Sequence, residues 1–183
     1  MKNVGIILAA GRGKRMHSVV QKQYLLLQGK PVLYYSLKAF QECPFIDEII
    51  LVTGEEEISY CQEEIVRKFN LDKVKQIVPG GKERYHSVYE GLKAAGDCHL
   101  VFIHDGARPF VDQGILERTK EAAETYQACV AGMPVKDTIK LSDGHGTAVE
   151  TPRRDLLWMI QTPQVFDCAL IREAYRKLME SDG

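Results

Sequence analysis

Long hydrophobic runs are absent from this 183-residue chain. A helix that spans a bilayer needs about 20 consecutive apolar residues, and the apolar stretch Val4–Ala10 is also too short for a secretory signal. The chain has no C-x-x-C pair, and its cysteines are odd in number: Cys43, Cys61, Cys98, Cys129 and Cys168. We therefore predict a cytoplasmic protein with no membrane segment, whose cysteines are reduced packing residues.

Acidic residues are missing from the first 41 positions, where all seven charged residues are basic. Because the whole chain has a net charge of −1, the remainder carries −8. A basic segment in an otherwise acidic chain indicates an anionic ligand, although a solvated basic face has the same composition. Four of the cations lie in a glycine-containing loop, which favours the ligand: Arg12, Lys14, Arg15 and Lys22. Nucleic acid is not predicted, because there is no overall basic excess.

Short β-prone runs alternate with helical patterns along the chain, without a repeat or linker. Strands are predicted at Val4–Ala9, Glu48–Thr53, Lys75–Val78, Leu100–His104 and Ala128–Met133, and helices near Pro31–Gln41, Glu55–Phe69, Ser87–Ala95 and Gln113–Tyr126. Several strands are almost continuously apolar, which is typical of parallel strands buried on both faces. We predict one α/β domain over residues 1–183, with a Rossmann-like, doubly wound, mainly parallel sheet.

A hairpin is predicted to project from this sheet. The runs Thr138–Lys140 and Thr147–Thr151 flank Ser142–Gly146, where Asp143-Gly144 suits a tight turn. Such an arm, at about residues 136–154, has few local contacts and needs another surface to pack on. We therefore expect a homodimer formed through the arm.

Open α/β sheets bind ligands beyond the carboxyl ends of their strands, and the first loop there suits phosphate. Its small residues are Ala9, Ala10, Gly11 and Gly13, and its cations include Arg15 and Lys22. Small residues let backbone N–H groups approach an anion, and the cations add charge. A purely structural turn is the alternative. Met16 stands where a dinucleotide-binding motif has its third glycine, which disfavours a dehydrogenase.

The second loop contains Gly80 and Gly81 and leads into a helix near Ser87. Ser87 is a candidate contact to a base or ribose, with a helix N-cap as the alternative. Arg84 is either a ligand contact or a surface residue.

The third loop begins at Asp105, next to Gly106. One carboxylate at a strand end can hold Mg²⁺ together with phosphate oxygens. Arg108 would orient that carboxylate or the phosphates, although an Asp105–Arg108 turn pair is the structural alternative. His104 is expected to pack or cap the strand end.

A nucleophile motif such as G-x-S-x-G is absent, and no cysteine has an evident activating neighbour. Cations with one metal-binding carboxylate suit phosphoryl or nucleotidyl transfer, in which positioning and charge stabilisation dominate. The residues therefore predict a magnesium-dependent nucleotidyltransferase.

A series of segments resembles the 2-C-methyl-D-erythritol 4-phosphate cytidylyltransferase family. They are LAAGRGKRM with KQY, PGGKERYHSV, IHDGARP, PVKDTIK and TPQVF. The first alone also resembles UDP-N-acetylglucosamine pyrophosphorylases, so the series carries the resemblance. It implies a fold of the nucleotide-diphospho-sugar transferase type. It also implies transfer of CMP from CTP to methylerythritol phosphate, with release of pyrophosphate, in non-mevalonate isoprenoid synthesis.

The resemblance also implies residue roles. Arg15 and Lys22 would be catalytic, stabilising charge on the α-phosphate, and Asp105 would bind Mg²⁺. The cytidine nucleotide would lie among Ala9, Ala10, Gly11, Gly13, Gly81 and Ser87. The methylerythritol phosphate would contact Arg108, Thr138, Arg154 and Thr162, some of them across the dimer.

Two departures from the family pattern leave alternatives open. Gln21 stands where the family usually has proline, which would loosen the loop carrying Lys22. Family members also continue through another strand and helix, with a catalytic-site lysine that has no counterpart in this chain. The alternatives are a D-ribitol 5-phosphate cytidylyltransferase, which often has glycine in place of Ala10, and a nucleotide-binding module without turnover.

Overall fold

Ten strands and five α-helices make up the computed structural model, which describes residues 1–11 and 20–181. The strands are β1 Val4–Leu8, β2 Leu26–Leu27, β3 Lys30–Pro31, β4 Glu48–Thr53, β5 Val74–Pro79, β6 Leu100–Asp105, β7 Ala128–Pro134, β8 Leu141–Ser142, β9 Ala148–Glu150 and β10 Trp158–Asp167. The helices are α1 Val32–Glu42, α2 Ile58–Tyr60, α3 Arg84–Ala94, α4 Gln113–Tyr126 and α5 Cys168–Ser181. None of the described helices is long and apolar enough to cross a membrane.

The central sheet has the strand order β5-β4-β1-β6-β10-β7. Neighbours from β5 to β6 are parallel, whereas β10 is antiparallel to both β6 and β7. All five predicted strands are present, so the mainly parallel α/β sheet is confirmed. Strand β10 was not predicted, because Thr162-Pro163 interrupts its apolar run and proline cannot donate to a sheet. Its pairing with β7 is irregular between Ile160 and Gln164.

Two hydrophobic clusters cover the two faces of this sheet. Side chains alternate along each strand, so Ile7 and Phe102 point to one face while Ile6 and Ile103 point to the other. Helices α1 and α4 bury Leu37, Leu116 and others on the first face. Helices α3 and α5 cover the second face, as a doubly wound sheet requires.

Two predicted helices differ from the structure near their ends. The predicted helix Glu55–Phe69 is a 3-10 turn at Glu55–Glu57, then α2, then a π-helical segment at Cys61–Arg67. Helix α3 begins three residues earlier than predicted. Its N-cap is Glu83, which shares a capping box with His86. Ser87 is therefore not the N-cap.

The projecting hairpin is confirmed, with different strand bounds. Strands β8 and β9 pair only with each other, and Gly144 turns the chain at φ 82°. The side chain of Asp143 accepts hydrogen bonds from the N–H groups of His145 and Thr147. The predicted first strand, Thr138–Lys140, is wrong, because pairing begins at Leu141. All residues from 136 to 151 are exposed.

Cys98 and Cys168 form a disulfide, so the prediction that all five cysteines are reduced is wrong for this pair. The two residues are 70 positions apart, and only the fold brings them together. The N–H of Cys168 donates to the carbonyl of His99 at 2.9 Å, which places the start of α5 beside the start of β6. Cys43, Cys61 and Cys129 are free, as predicted.

Reduction of this disulfide should lower the free energy of unfolding by about 2–4 kcal/mol, because a cross-link over a long loop restricts the unfolded chain. Urea unfolding with and without dithiothreitol measures the difference. A Cys98→Ala/Cys168→Ala variant is the control and should not respond to the reductant. Equal midpoints for the original chain under both conditions would contradict the prediction.

Candidate active site

The predicted ligand loops meet at one edge of the sheet, where β1, β5 and β6 end. The N–H of Gly106 donates to the carbonyl of Leu8 at 2.8 Å, which joins the third loop to the end of β1. The N–H of Gly80 donates to the carbonyl of Thr53 at 2.7 Å, which joins the second loop to the end of β4. Backbone hydrogen bonds therefore tie the second and third loops to the ends of neighbouring strands.

The second loop lies directly against the start of the first. A Cβ atom on Gly80 would stand 2.4 Å from the Cβ of Ala10 and 2.8 Å from the hydroxyl of Ser87, so only glycine fits there. The N–H of Gly81 donates to the buried hydroxyl of Ser87 at 3.1 Å. Three of the predicted nucleotide-binding residues thus form one contiguous surface.

The remaining predicted residues of the first loop are only partly described. Ala9 is buried at the end of β1, and Gly11 is exposed. Gly13 and Arg15 lie outside the described residues, as do Arg12 and Lys14. Lys22 is exposed and begins a 3-10 turn, Lys22–Tyr24.

Asp105 is bound by two arginines. Arg84 donates from Nε and Nη2 to Oδ1 at 3.2 and 3.1 Å, and Arg108 donates from Nε to Oδ2 at 3.1 Å. The Asp105–Arg108 pair, which the sequence left open, is therefore present. Arg84, which the sequence left open as a ligand contact or a surface residue, reaches Asp105 because α3 begins at Arg84.

Two glutamines on β10 complete this polar cluster and were not predicted. Gln164 accepts a hydrogen bond from Arg84 at 3.1 Å, and Gln161 accepts one from Arg108. They flank Thr162-Pro163, whose peptide bond is cis. Polar residues around a proline in an otherwise apolar run were the available signal in the sequence.

His104 is fully buried beneath the cluster and connects two of the predicted substrate-binding residues. Its Nε2 lies 3.1 Å from the carbonyl of Arg108, and its Nδ1 lies 2.9 Å from the hydroxyl of Thr162. A carbonyl can only accept, so Nε2 carries the proton and Nδ1 accepts from the hydroxyl. That hydroxyl in turn accepts from the N–H of Asp105 at 3.3 Å. Burial lowers the pKa of His104 to about 4.

A cavity of about 1090 Å³ opens beside these residues. It is lined by Lys22, Asp105, Arg108 and Thr162, so the structure brings these four predicted residues together. Thr138 and Arg154 lie elsewhere, on the exposed arm and at its base. Arg154 donates to the carbonyl of Lys136 at 2.9 Å.

Asp105 fits a magnesium ion that arrives with a nucleotide. No group of three or more His, Cys, Asp or Glu side chains suited to a metal occurs among the described residues. Mg²⁺ commonly takes one or two carboxylates and completes its coordination with phosphate oxygens and water. The side chain of Asp105 is 30% exposed and offers such a carboxylate. The two arginines now donate three hydrogen bonds to this carboxylate, so the ion would compete with them.

Comparison with known proteins identifies the family. Residues 4–183 match the model of the IspD family, 2-C-methyl-D-erythritol 4-phosphate cytidylyltransferase. The chain belongs to this family. The cytidylyltransferase of Lachnospira eligens is 51% identical over 180 residues, which cover 98% of this chain and 79% of that protein. The Clostridium kluyveri enzyme is 49% identical over 176 residues, which cover 96% and 76%.

Solved structures of this family share the fold. The 4-diphosphocytidyl-2C-methyl-D-erythritol synthase of Anaerococcus prevotii has a TM-score of 0.84 and 34% identity, and the match covers all of this chain and 77% of that one. The Francisella tularensis cytidylyltransferase has a TM-score of 0.81 and 27% identity, over all of this chain and 80% of that one. The fold predicted from the resemblance is thereby confirmed.

The stability of the protein should fall as the pH drops from about 6.5 to about 4 because of His104. Its pKa is lowered in the folded state, so the unfolded chain binds a proton in this range that the folded chain excludes. The contribution of neutral His104 to the free energy of unfolding is complete above the pKa of the unfolded chain. It is lost as the pH falls toward the folded pKa, at up to about 1.4 kcal/mol per pH unit.

Urea unfolding between about pH 4 and pH 7 tests this dependence. His104→Gln should be less stable than the original chain at neutral pH and should lose less stability on acidification. Parallel pH profiles for the two proteins would contradict the prediction.

Proposed function

We propose that this chain transfers CMP from CTP to 2-C-methyl-D-erythritol 4-phosphate. The products are pyrophosphate and 4-diphosphocytidyl-2-C-methyl-D-erythritol. The observation that carries this proposal is family membership over nearly the whole chain. The clustering of Lys22, Asp105, Arg108 and Thr162 around one cavity supports it.

The nucleotide would bind at the surface formed by the first two loops. The residues we assign to it are Ala9, Ala10, Gly11, Gly13, Gly81 and Ser87. Close packing of Ala10 on Gly80 supports this assignment, because it brings the second loop directly against the start of the first. The hydroxyl of Ser87 already orders the N–H of Gly81, so both would be preorganised for the base or ribose.

Lys22 and Arg15 would stabilise charge on the α-phosphate. An oxygen of the methylerythritol phosphate forms a bond to the α-phosphorus as the bond to the β-phosphate oxygen breaks, and pyrophosphate leaves with that electron pair. No covalent enzyme intermediate is needed. Negative charge builds on the oxygens around phosphorus, so fixed cations favour the transition state over the substrates.

Asp105 would hold Mg²⁺, which neutralises triphosphate charge when it is bound. Arg108 would then be available to the acceptor's phosphate, since the metal would compete for its present partner. Gln161 would keep the Arg108 guanidinium facing the cavity. Thr162, fixed by His104, would donate or accept a hydrogen bond at the acceptor.

Thr138 and Arg154 would reach an acceptor site from a second copy of the chain. Both lie on or beside the arm, where large apolar side chains are exposed to solvent. Examples are Val149 at 64%, Leu156 at 68% and Trp158 at 58%. An apolar patch of this kind marks an interaction surface, and we assign it to a homodimer.

Pyrophosphate release should require CTP, methylerythritol phosphate and Mg²⁺ together. The assay compares CTP, ATP, GTP and UTP, each with methylerythritol, ribitol and hexosamine phosphates. A preference for ribitol phosphate would instead indicate a ribitol phosphate cytidylyltransferase. Nucleotide binding without release of pyrophosphate from any pair would indicate a binding module.

The chain should sediment at twice its monomer mass of 20.7 kDa. Trp158→Glu places a charge in the proposed interface and should produce monomers, because an unpaired buried charge is costly. Tyr126→Glu is the matched control. Tyr126 is 75% exposed and ends α4, shortly before the start of β7 and so at the other end of that strand from the arm. An original chain that sediments as a monomer would overturn the assignment.

A further inference from the structure

A buried carboxamide lies between the two ends of the predicted phosphate-binding loop. Gln23 is only 4% exposed, and its Nε2 lies 2.5 Å from the carbonyl of Ala9 and 3.2 Å from that of Gly11. Because carbonyl oxygens only accept, the nitrogen of the amide must face them. Ala9 and Gly11 stand at the start of the loop, while Gln23 directly follows Lys22 at its end. One side chain therefore joins both ends.

Gln21 extends this network to a charged group. Its Oε1 accepts a hydrogen bond from Gln23 at 2.7 Å, so its own amide nitrogen faces away and donates to the carboxylate of Glu57. Glu57 belongs to the 3-10 turn after β4. Hydrogen bonds to a carboxylate are stronger than neutral ones, and linked amides polarise one another. The network thus fixes the orientation of both glutamines.

Tyr24 anchors the other side of the same turn. Its hydroxyl lies 2.6 Å from that of Thr53, which is buried at the end of β4. Its ring packs edge-on against Tyr60 at 5.4 Å. Lys22 is exposed, whereas Gln23 is buried and Tyr24 half-buried, so the anchored side chains leave the lysine facing solvent.

We propose that Gln23 is a positioning residue that fixes Lys22 relative to the phosphate-binding loop. This inference rests on the proposed function, in which Lys22 stabilises charge on the α-phosphate. Without the carboxamide, the carbonyls of Ala9 and Gly11 lose a buried donor and the turn loses its tie to β1. A small displacement of a charged group weakens transition-state stabilisation more than it weakens substrate binding.

Gln23→Met removes the donor and keeps the length of the side chain. We expect kcat to fall by about tenfold or more while KM for CTP changes by less than about threefold. Gln41→Met is the matched control. Gln41 accepts a hydrogen bond from the N–H of Lys73 at 2.9 Å and so joins α1 to the segment before β5. The Gln41→Met control should leave kcat unchanged. An unchanged kcat in Gln23→Met would overturn the proposal.

A double-mutant cycle tests whether Gln23 acts through Lys22. In the Lys22→Ala background, Gln23→Met should cost less than about twofold in single-turnover rate, because the group that it positions is gone. A loss by the same factor as in the original chain would mean that the two residues act independently, and would overturn the inference. If Gln23→Met does not fold, the same cycle with Gln21→Ala decides between these outcomes.

Hydrogen exchange separates this inference from the proposed function. Amides in residues 4–11 and 20–25 should exchange about tenfold faster in Gln23→Met and at the original rate in Gln41→Met. This readout needs no turnover, and unchanged exchange would overturn the proposal. If another nucleotide and acceptor support turnover, the function assigned above fails, and the cycle run with that pair still tests Gln23.

Discussion

The carboxylate of Asp105 holds together the segments that surround the candidate site. Arg84 reaches it from the start of α3, Arg108 from the loop after β6, and the neighbouring backbone N–H binds Thr162 on β10. Each ion pair is partly exposed and contributes little stability by itself. Their importance lies in convergence, because the start of α3 and the loop after β6 share one anionic partner, while β10 binds the backbone N–H of the same residue. A ligand or metal that binds that carboxylate competes with the two arginines that now contact it.

The central sheet could be predicted from the sequence because its strands are buried on both faces. Runs such as Ile49–Val52 are apolar without alternation, and helical patterns separate them. Strand β10 gave no such signal, since it contains Gln161, Thr162 and Pro163. The disulfide was equally hidden, because nothing in the spacing of Cys98 and Cys168 indicates that β6 and α5 begin side by side.

Site residues could be predicted where a side chain of suitable chemistry stands at the carboxyl end of a predicted strand. Asp105 follows a buried strand, and the resemblance added Lys22, Arg108 and Thr162, which line the same cavity. Gln23 stands in the KQY segment, but its role could not be predicted because two of its partners are backbone carbonyls, whose positions only the tertiary fold determines. Gln21 was expected to loosen its loop only because it lacks the ring of proline. Its φ of −64° is the value that proline would impose.

The direction of β10 explains how the arm is connected to the candidate active site. Because β10 runs antiparallel to β6, it enters the sheet at the edge where β6 ends, and it does so directly after the arm. Its first residues, Trp158–Ile160, are exposed, and the next two are Gln161 and Thr162. His104 then fixes Thr162 from below. In the proposed homodimer, a partner covering Trp158–Ile160 would restrain the backbone immediately before Gln161. Assembly would therefore order the acceptor side of the site, while the nucleotide side depends on loops packed within one chain.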